Sequence, residues 1–339
     1  MIISNLKDKP VPTPVVTPKV QKDQEKPVPS ANMASNMTLK PEVKPSDSKV
    51  ENQDYHQFIP RGVSNYISRT VDTDIDFWSQ LHNGKPLRNV ALIGESGSGK
   101  NFAVANYASR SNLPLLVVPC DDSQVLKELL GYWKAASGTT IWCEGLLTQF
   151  LRIPSVILFD EVNCLPPGKL FMLHELLENR KLFIKDAPSD QSIVKLHDGV
   201  RIFLSMNPPE ARYSGTSRLN TALGTRTSWV EILPFRDEEI MTEKTGDEEL
   251  DGRILQFYRE ATRVIKEQKL RVTICKRNID AIVDSLRLGL CLENSLLHGF
   301  INSALATASA AERDVLLNLA ITVFGASKFP KSIKRIKGE

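Results

Sequence analysis

The sequence has no long hydrophobic run and few cysteines. No apolar stretch approaches the roughly 18 residues that a membrane-spanning helix needs, and the N-terminal MIISNLKDKP lacks the hydrophobic region of a signal peptide. The five cysteines are far apart and include no Cys-x-x-Cys pair, which is typical of reduced thiols and of neither a disulfide framework nor a zinc site. We therefore expect a cytoplasmic protein without a membrane segment.

The chain also lacks a net charge outside its first 50 residues. Residues 1–50 contain eight lysines and five acidic residues and so carry the whole formal charge of +3, while 35 basic and 35 acidic residues balance in the remainder. A dedicated nucleic-acid-binding domain usually has a basic excess. The balance argues against such a protein, although basic residues can still cluster locally.

Residues 1–50 have no aromatic side chain and contain eight of the 20 prolines. Such a segment cannot bury enough apolar surface to offset its conformational entropy. We predict that residues 1–54 form a disordered tail. Docking of a partner on the prolines is the alternative.

From about Tyr55 onward, short apolar runs alternate with helical patterns. Five runs predict strands: NVALIG, LPLLVVPC, SVILFDEVN, VRIFLSMNP and SWVEILPF. Because these runs are apolar on both faces, they indicate an α/β fold with a parallel sheet covered by helices on both sides. A helix containing Phe77, Trp78 and Leu81 is predicted before the first strand. After Pro234 only helical spacing remains, so we predict an αβα domain over residues 55–235 and an all-helical domain over residues 236–339.

The segment NVALIGESGSGKN almost matches the phosphate-loop pattern G-x-x-x-x-G-K-[ST]. Gly94, Gly99 and Lys100 fit, but Asn101 stands where a hydroxyl is expected. A strand before and a helix after the loop is the context in which this pattern binds phosphates, through backbone N–H groups, the helix N-terminus and the lysine. The predicted phosphate-binding residues are Gly94, Glu95, Ser96, Gly97, Ser98, Gly99, Lys100 and Asn101.

Two later strands end in polar side chains that phosphoryl transfer requires. Asp160 and Glu161 follow the apolar run of SVILFDE, about 60 residues beyond the loop. Asp160 is predicted to hold magnesium, with Asn101, and Glu161 to polarise the attacking water. Asn207 follows the next strand and can orient that water. An Asn-Pro pair alone is typical of a turn, so its order in the chain carries the interpretation.

The order of these motifs, their spacing and the residues around them resemble those of the AAA+ ATPases. The resemblance is strongest to the MoxR branch, with its CbbQ-, NorQ- and GvpN-like members. The resemblance covers about residues 56–290. It is carried by LLGYWKAASGTTIWCEGLLTQFLRIPSVILFDEVNCLPPGKLFMLHELLENRKLFI and by FLSMNPPEARYSGTSRLNTALGTRTSWVEILPF. It implies a P-loop NTPase αβα sandwich with a five-stranded parallel sheet, a helical lid domain, and ATP and Mg²⁺ as cofactors.

The resemblance also implies roles for single residues. Gly94–Lys100 would be the Walker A loop, Asp160 and Glu161 the Walker B pair, and Asn207 the sensor-1 residue. Three arginines complete the set. Arg226 would reach the nucleotide of a neighbouring subunit, with Arg218 as a second candidate, and Arg277 would be the sensor-2 arginine. A surface salt bridge is the alternative for each arginine.

Two segments resemble the inserts of this branch. ASGTTIWCEG is similar to the hairpin that interrupts the second helix and faces the centre of the ring, and RKLFIKDAPSDQSIVKLHDG is similar to the hairpin before sensor 1. Tyr132 and Trp133 either line a pore or pack. The chain departs from the family at Asn101, whose longer neutral amide must meet the strict octahedral geometry of magnesium. We expect Mg·ATP binding with slower hydrolysis.

Three functions follow from these observations. The first is a ring-forming ATPase, by resemblance a hexamer, that remodels or activates a protein client, either alone or with a partner bearing a von Willebrand A domain. The second is an AAA+ nucleic-acid motor or loader. The second insert has four basic and three acidic residues and the C-terminal KFPKSIKRIKGE is basic, but the first insert has no basic residue. The third is a nucleotide-gated scaffold in which Asn101 has abolished hydrolysis.

Overall fold

The computed structural model describes most of the chain from Tyr55 onward. The described residues are 55–62, 66–120, 128–136, 138–165, 167–208, 221–330 and 332. The predicted disordered tail, residues 1–54, lies outside them, as does Arg218.

The described residues form eleven strands, eleven α-helices and a few shorter turns. The strands are β1 (Leu81–His82), β2 (Lys85–Pro86), β3 (Asn89–Ile93), β4 (Leu115–Pro119), β5 (Gly131–Ala136), β6 (Thr139–Glu144), β7 (Val156–Asp160), β8 (Lys181–Phe183), β9 (Ile193–Lys195), β10 (Arg201–Met206) and β11 (Thr227–Glu231). The helices are α1 (Thr70–Trp78), α2 (Lys100–Arg110), α3 (Leu146–Leu151), α4 (Pro167–Asn179), α5 (Thr221–Gly224), α6 (Asp237–Ile240), α7 (Glu248–Glu267), α8 (Lys276–Arg287), α9 (Leu292–Leu296), α10 (Ser303–Thr307) and α11 (Ala310–Phe324). The shorter turns are 3-10 helices at Tyr55–Phe58, Val162–Cys164 and Ala326–Lys328, and a π-helix at Leu297–Ile301.

The centre is a five-stranded parallel sheet, which confirms the predicted fold class. Its strand order is β11-β3-β10-β7-β4, and every neighbouring pair is parallel. Successive side chains of β7 enter different cores: Ile157 and Phe159 pack in one, Val156 and Leu158 in the other. Both faces of the three central strands, β3, β10 and β7, are therefore covered, as the uninterrupted apolar runs predicted. The edge strands β4 and β11 differ from the prediction, because Val117 and Trp229 remain partly exposed on one face.

Parallel strands bring their carboxyl ends to one edge of the sheet, and this edge positions the site. The backbone N–H of Gly94 donates to Met206 O at 3.3 Å, which joins the ends of β3 and β10. In the register, Ile93 lies opposite Met206 and Asp160 lies opposite Pro119. The loops after β3, β7 and β10 therefore meet at this edge, where open α/β sheets bind ligands.

The helix before the first long strand ends earlier than predicted. α1 ends at Trp78, and Leu81 lies in β1, which pairs with β2 as an antiparallel hairpin. Asn83 and Gly84 connect these strands with φ of 52° and 81°, the left-handed conformation of a tight hairpin turn. The prediction that Leu81 belongs to the helix was wrong, because the Asn-Gly turn overrides the helical spacing of the apolar residues.

The second predicted insert contains the antiparallel hairpin β8–β9, while the first hairpin, β5–β6, begins at Gly131, five residues before the predicted segment ASGTTIWCEG. The two hairpins contact each other, because the Trp133 indole N–H donates to the carbonyl oxygen of Asp186 at 2.8 Å. Within the first hairpin, the Trp133 ring meets Trp142 edge-to-face. About half of the surface of Tyr132 and of Trp133 remains exposed. Trp133 is therefore partly packed, which agrees with the packing alternative given for this residue from the sequence. A pore-lining role for Tyr132 stays a prediction.

In the part of the chain that the structure describes after β11, all regular elements are helical. The helical spacing predicted after Pro234 does not form one continuous helix over residues 292–307, which are divided into α9, the π-helix and α10. The π-helix contains Gly299, where an added Cβ would lie 2.6 Å from Ile282. The described helices include none that is both long and apolar enough to cross a membrane. The predicted domain borders at residues 54/55 and 235/236 stay predictions.

Candidate functional site

The loop from Gly94 to Gly99 connects β3 to α2 at the carboxyl edge of the sheet. Gly97 and Gly99 have φ of 76° and 91°, which favours glycine over other residues. An added Cβ on Gly97 would lie 2.4 Å from the Cβ of Cys275, and one on Gly99 would lie 2.7 Å from the ring of Phe235. The loop therefore needs glycine for two reasons: its backbone conformation, and its close packing against Cys275 before α8 and Phe235 before α6.

Lys100 joins this loop to the end of β10. Its ammonium group donates to the carbonyl oxygens of Gly94 at 2.8 Å and Glu95 at 3.0 Å, and to Asn207 Oδ1 at 2.9 Å. Burial lowers the pKa of Lys100 from 10.5 to about 8, although the nearby carboxylates of Asp160 and Glu161 act in the opposite direction. Two residues more than 100 positions apart, Lys100 and Asn207, thus meet as predicted for one site.

Asp160 is held from two sides at the end of β7. The Asn101 side-chain N–H₂ donates to Asp160 Oδ2, and the hydroxyl of the buried Ser205 donates to Asp160 Oδ1. Ser205 did not appear among the predicted site residues. The signal was a lone hydroxyl in the otherwise apolar run IFLSM. Asn101 acts here as a hydrogen-bond donor, and its predicted role as an oxygen ligand of magnesium stays a prediction.

Glu161 begins the turn after β7 in an uncommon conformation. Its φ is 55°, the left-handed region that few non-glycine residues occupy. Its backbone N–H donates to Ser205 Oγ at 3.4 Å, and its side chain is exposed. Strained residues of this kind concentrate at functional sites. The turn points Glu161 into the same cleft as Lys100 and Asp160.

These side chains line a cleft of about 590 Å³ between the sheet edge and the helical region. Arg277, in the first turn of α8, lines this cleft beside Lys276, which pairs with Asp280 at 2.6 Å. The charge of Arg277 also contributes to the low pKa of Lys100. The site therefore combines the cations Lys100, Lys276 and Arg277 with three carboxylates, those of Asp160, Glu161 and Asp280. The lining residues are Ser96, Gly97, Gly99, Lys100, Asn101, Phe102, Ala105, Leu115, Val117, Asp160, Glu161, Asn207, Phe235, Lys276, Arg277 and Asp280.

Arg226 does not line this cleft. It lies before β11 in a separate cleft that also contains Arg88 and Arg180. Its guanidinium donates to Glu178 Oε2 through Nε at 2.7 Å and through Nη2, and to the carbonyl oxygen of Ala222 through Nη1. Within a single chain, Arg226 is thus an ion-paired residue on another surface.

The donor set fits a nucleoside triphosphate. A glycine loop, the start of an 11-residue helix and a buried lysine with Arg277 nearby provide N–H groups and positive charge for phosphates. For magnesium the fit rests on Asp160, since the described residues include no cluster of three His, Cys, Asp or Glu side chains. Magnesium commonly takes one or two carboxylates and fills its shell with water and phosphate oxygens. Asp160 supplies one such carboxylate, and water and phosphate oxygens would fill the other positions around the ion.

A parallel sheet whose first long strand runs through a glycine loop into a helix, with a buried loop lysine, defines a P-loop nucleotide-binding domain. Residues 89–227 match the AAA domain of the dynein-related subfamily. The chain is 27% identical to protein NorQ of Paracoccus denitrificans over 244 residues, which are 70% of this chain and 86% of NorQ. It is 26% identical to protein CbbQ of Hydrogenophilus thermoluteolus over 158 residues (46% of this chain, 58% of CbbQ).

A third relative is BssE of Thauera aromatica, named as a candidate chaperone. It is 30% identical over 163 residues, which are 47% of this chain and 56% of BssE. The chain thus spans somewhat more than half the length of CbbQ and of BssE. These matches confirm the resemblance drawn from the sequence: residues 89–227 match an AAA domain, and the chain is similar to AAA+ ATPases of the MoxR branch.

Proposed function

We propose that this protein binds ATP with Mg²⁺, hydrolyses it, and uses the cycle in a ring to remodel or activate a protein client. The observation that carries the proposal is the hydrogen bond of 2.9 Å between Lys100 and Asn207, in a cleft that Asp160, Glu161 and Arg277 also line. Residues from three loops and the helical region meet there with the chemistry that phosphoryl transfer requires.

Each residue has a separate task in this proposal. Lys100 places positive charge at the phosphates, and Asn207 fixes the lysine and orients the attacking water. Glu161 accepts a proton from that water. Asp160, held by Asn101 and Ser205, carries the metal, and bound magnesium would neutralise phosphate charge. Arg277 adds a cation from the helical side.

Arg226 supports the ring. Of the two predicted arginines that the structure describes, Arg226 is the one outside the cleft of its own chain, beside Arg88 and Arg180. An arginine that stabilises transition-state charge must reach the phosphates, so in that role Arg226 would act on the nucleotide of another subunit. A closed ring provides that neighbour for every site. We propose a hexamer on the resemblance to the family.

A protein client is favoured over nucleic acid. Outside residues 1–50 the chain has no net charge, and the exposed β8–β9 face carries Phe183 and Ile193 beside Lys181 and Lys195. BssE, named as a candidate chaperone, favours the same class. A partner with a von Willebrand A domain is part of the proposal by resemblance. To test it, ATP turnover is measured with added single-stranded DNA, duplex DNA and RNA. The rate should stay unchanged, and severalfold stimulation would favour the nucleic-acid motor.

The nucleotide-gated scaffold is tested at Asn101. Asn101→Thr restores the usual magnesium hydroxyl, and Ser205 still holds Asp160, so we expect turnover at or above the parent rate. Asn101→Ala removes both the oxygen and the N–H donor and should weaken magnesium binding about tenfold or more. Steady-state turnover against magnesium concentration separates the variants. A large loss in Asn101→Thr would show that the amide itself is required.

The pKa of Lys100, about 8, makes ATP binding depend on pH. Above this pH the free protein loses the ammonium charge, and the bound phosphates restore it, so binding takes up a proton. We expect the affinity for ATP to fall with rising pH above about 8, by at most about tenfold per pH unit. Nucleotide titrations at constant ionic strength measure this fall, and calorimetry in two buffers measures the proton uptake. Constant affinity across this range would contradict the assignment.

The same shift affects stability in the opposite direction. The folded state holds fewer protons than the unfolded state between the lowered pKa of Lys100 and its ordinary value of 10.5. The contribution of Lys100 to the free energy of unfolding therefore rises as pH increases through this window. Weaker ATP binding at high pH would then not come from this group destabilising the fold.

A further inference from the structure

Arg69 lies in the segment before α1, and its guanidinium contacts four parts of the structure. Nη1 donates to the carbonyl oxygen of Ser98 in the glycine loop at 2.8 Å, and Nη2 donates to the carbonyl oxygen of Leu233 after β11. Nε lies 3.0 Å from Glu239 Oε1 in α6. The guanidinium carbon is 4.6 Å from the ring centre of Phe235, a cation–π distance. The side chain is only 11% exposed.

The backbone of Arg69 is itself fixed. Its N–H donates to Asp72 Oδ2 at 2.7 Å, and the hydroxyl of Tyr66 donates to the same buried carboxylate. Burial and the hydrogen bond to Asp72 raise the pKa of Tyr66 well above its ordinary value, so the hydroxyl stays protonated as the donor. Arg69 thus extends from a rigid base.

Both side chains of the ion pair between Arg69 and Glu239 are largely buried. The side chain of Glu239 is 5% exposed, and its second oxygen accepts the backbone N–H of Arg236 at 2.6 Å. The Nε of Arg236 also lies 3.5 Å from this second oxygen, but the Arg236 side chain is 59% exposed. Arg69 is therefore the buried cation on which this carboxylate depends. The planar fork of arginine serves two carbonyls and a carboxylate at once, which a lysine ammonium cannot match.

The contacts end on the phosphate loop. Phe235, under the guanidinium, packs where a side chain at Gly99 would stand, and Arg69 Nη1 is 3.5 Å from the same point. Arg69 does not line the nucleotide cleft. It lines a smaller neighbouring pocket of about 240 Å³ with Glu239 and Phe235. Arg69 therefore contacts the phosphate loop from outside the nucleotide cleft.

We propose that Arg69 is a positioning residue that couples the shape of the phosphate loop to the position of the helical region, through its ion pair with Glu239. The proposal rests on the proposed nucleotide binding at this loop. Moving α6 away from the sheet breaks the ion pair and so removes one of the contacts that orient the guanidinium toward Ser98. The loop then loses the support that holds it in its binding conformation.

The test uses the full chain with Arg69→Lys, Arg69→Met, Glu239→Gln and the double variant Arg69→Met with Glu239→Gln. Arg110→Met is the matched control, because Arg110 makes a two-pronged ion pair with Asp76 on an exposed surface. Readouts are the Kd for ATP and ADP, KM and kcat separately, and hydrogen exchange of residues 94–99.

We expect Arg69→Met and Glu239→Gln each to raise Kd and KM about tenfold, the usual size of coupling between sites, with a smaller change in kcat. Arg69→Lys should fall between Arg69→Met and the parent. In the double variant, the increase in Kd and KM should be smaller than the product of the increases in the two single variants. Hydrogen exchange should rise in residues 94–99 of the Arg69 variants and stay at the parent level in Arg110→Met.

If Arg69→Met fails to fold, Arg69→Lys and Glu239→Gln carry the test. Unchanged Kd and KM in folded variants would overturn the inference while leaving the proposed function in place. If Kd, KM and kcat all worsened to the same degree, and did so in Arg110→Met as well, the role of Arg69 would be merely structural. That result would also overturn the inference. A parent protein that binds no nucleotide would contradict the proposed function and this inference with it.

Discussion

Glu161→Gln should retain ATP binding and lose turnover by about a hundredfold or more, the contribution of a general base. The amide has the size and shape of the carboxylate, so the turn after β7 and its backbone contact to Ser205 persist. What is lost is the group that accepts the proton of the attacking water. Nucleotide Kd and phosphate release, measured on the same preparation, separate binding from chemistry.

The control for this variant is Glu248→Gln, an exposed residue in the first turn of α7 that does not line the cleft. It removes the same charge from the chain and should leave Kd and turnover at parent values. Parent-level turnover in Glu161→Gln would refute the assignment of Glu161 as the base. Loss of binding in that variant would show that Glu161 acts in the ground state instead.

Arg226→Ala should cut hydrolysis by roughly 10³-fold while leaving ATP binding largely intact. Binding is spared because Arg226 lies outside the cleft of its own chain, in the cleft with Arg88 and Arg180. Activity should return in part when Arg226→Ala is mixed with Lys100→Ala. In a mixed ring, one subunit offers an intact phosphate loop and its neighbour offers an intact arginine.

Glu178→Gln is the control that separates the two interpretations of Arg226. If the ion pair between Arg226 and Glu178 is the whole role of the arginine, breaking it from either side should have the same effect. If Arg226 serves a neighbouring nucleotide, Glu178→Gln should keep most of the activity. Equal losses in both variants, with no recovery on mixing, would establish the salt bridge and remove the argument for a shared site.

The sheet and the glycine loop could be predicted because their signals are local. A strand apolar on both faces, as in β3 and β7, marks a parallel sheet covered by helices, and a strand–loop–helix context makes the glycine pattern specific. The early end of α1 was also local, since Asn83-Gly84 is a strong hairpin signal. Here the helical spacing of Phe77, Trp78 and Leu81 was given too much weight.

The remaining site contacts depend on neighbours that are distant in sequence. Ser205 matters because it donates to Asp160, and Arg69 matters because Ser98 and Glu239 lie beside it. Nothing local to either residue predicts these partners. The same holds for Asn101, whose amide has both an oxygen acceptor and an N–H₂ donor. That the N–H₂ group faces Asp160 depends on the position of Asp160, which the local sequence does not give.

The most direct test of the account is ATP hydrolysis by the purified protein, with magnesium, over a wide range of protein concentrations. Sites completed between subunits predict that specific activity rises with concentration and then levels off as rings form. Specific activity that stays constant on dilution to a monomer would contradict the shared site. No turnover at any concentration, with ATP still bound, would contradict the ATPase and favour the nucleotide-gated scaffold.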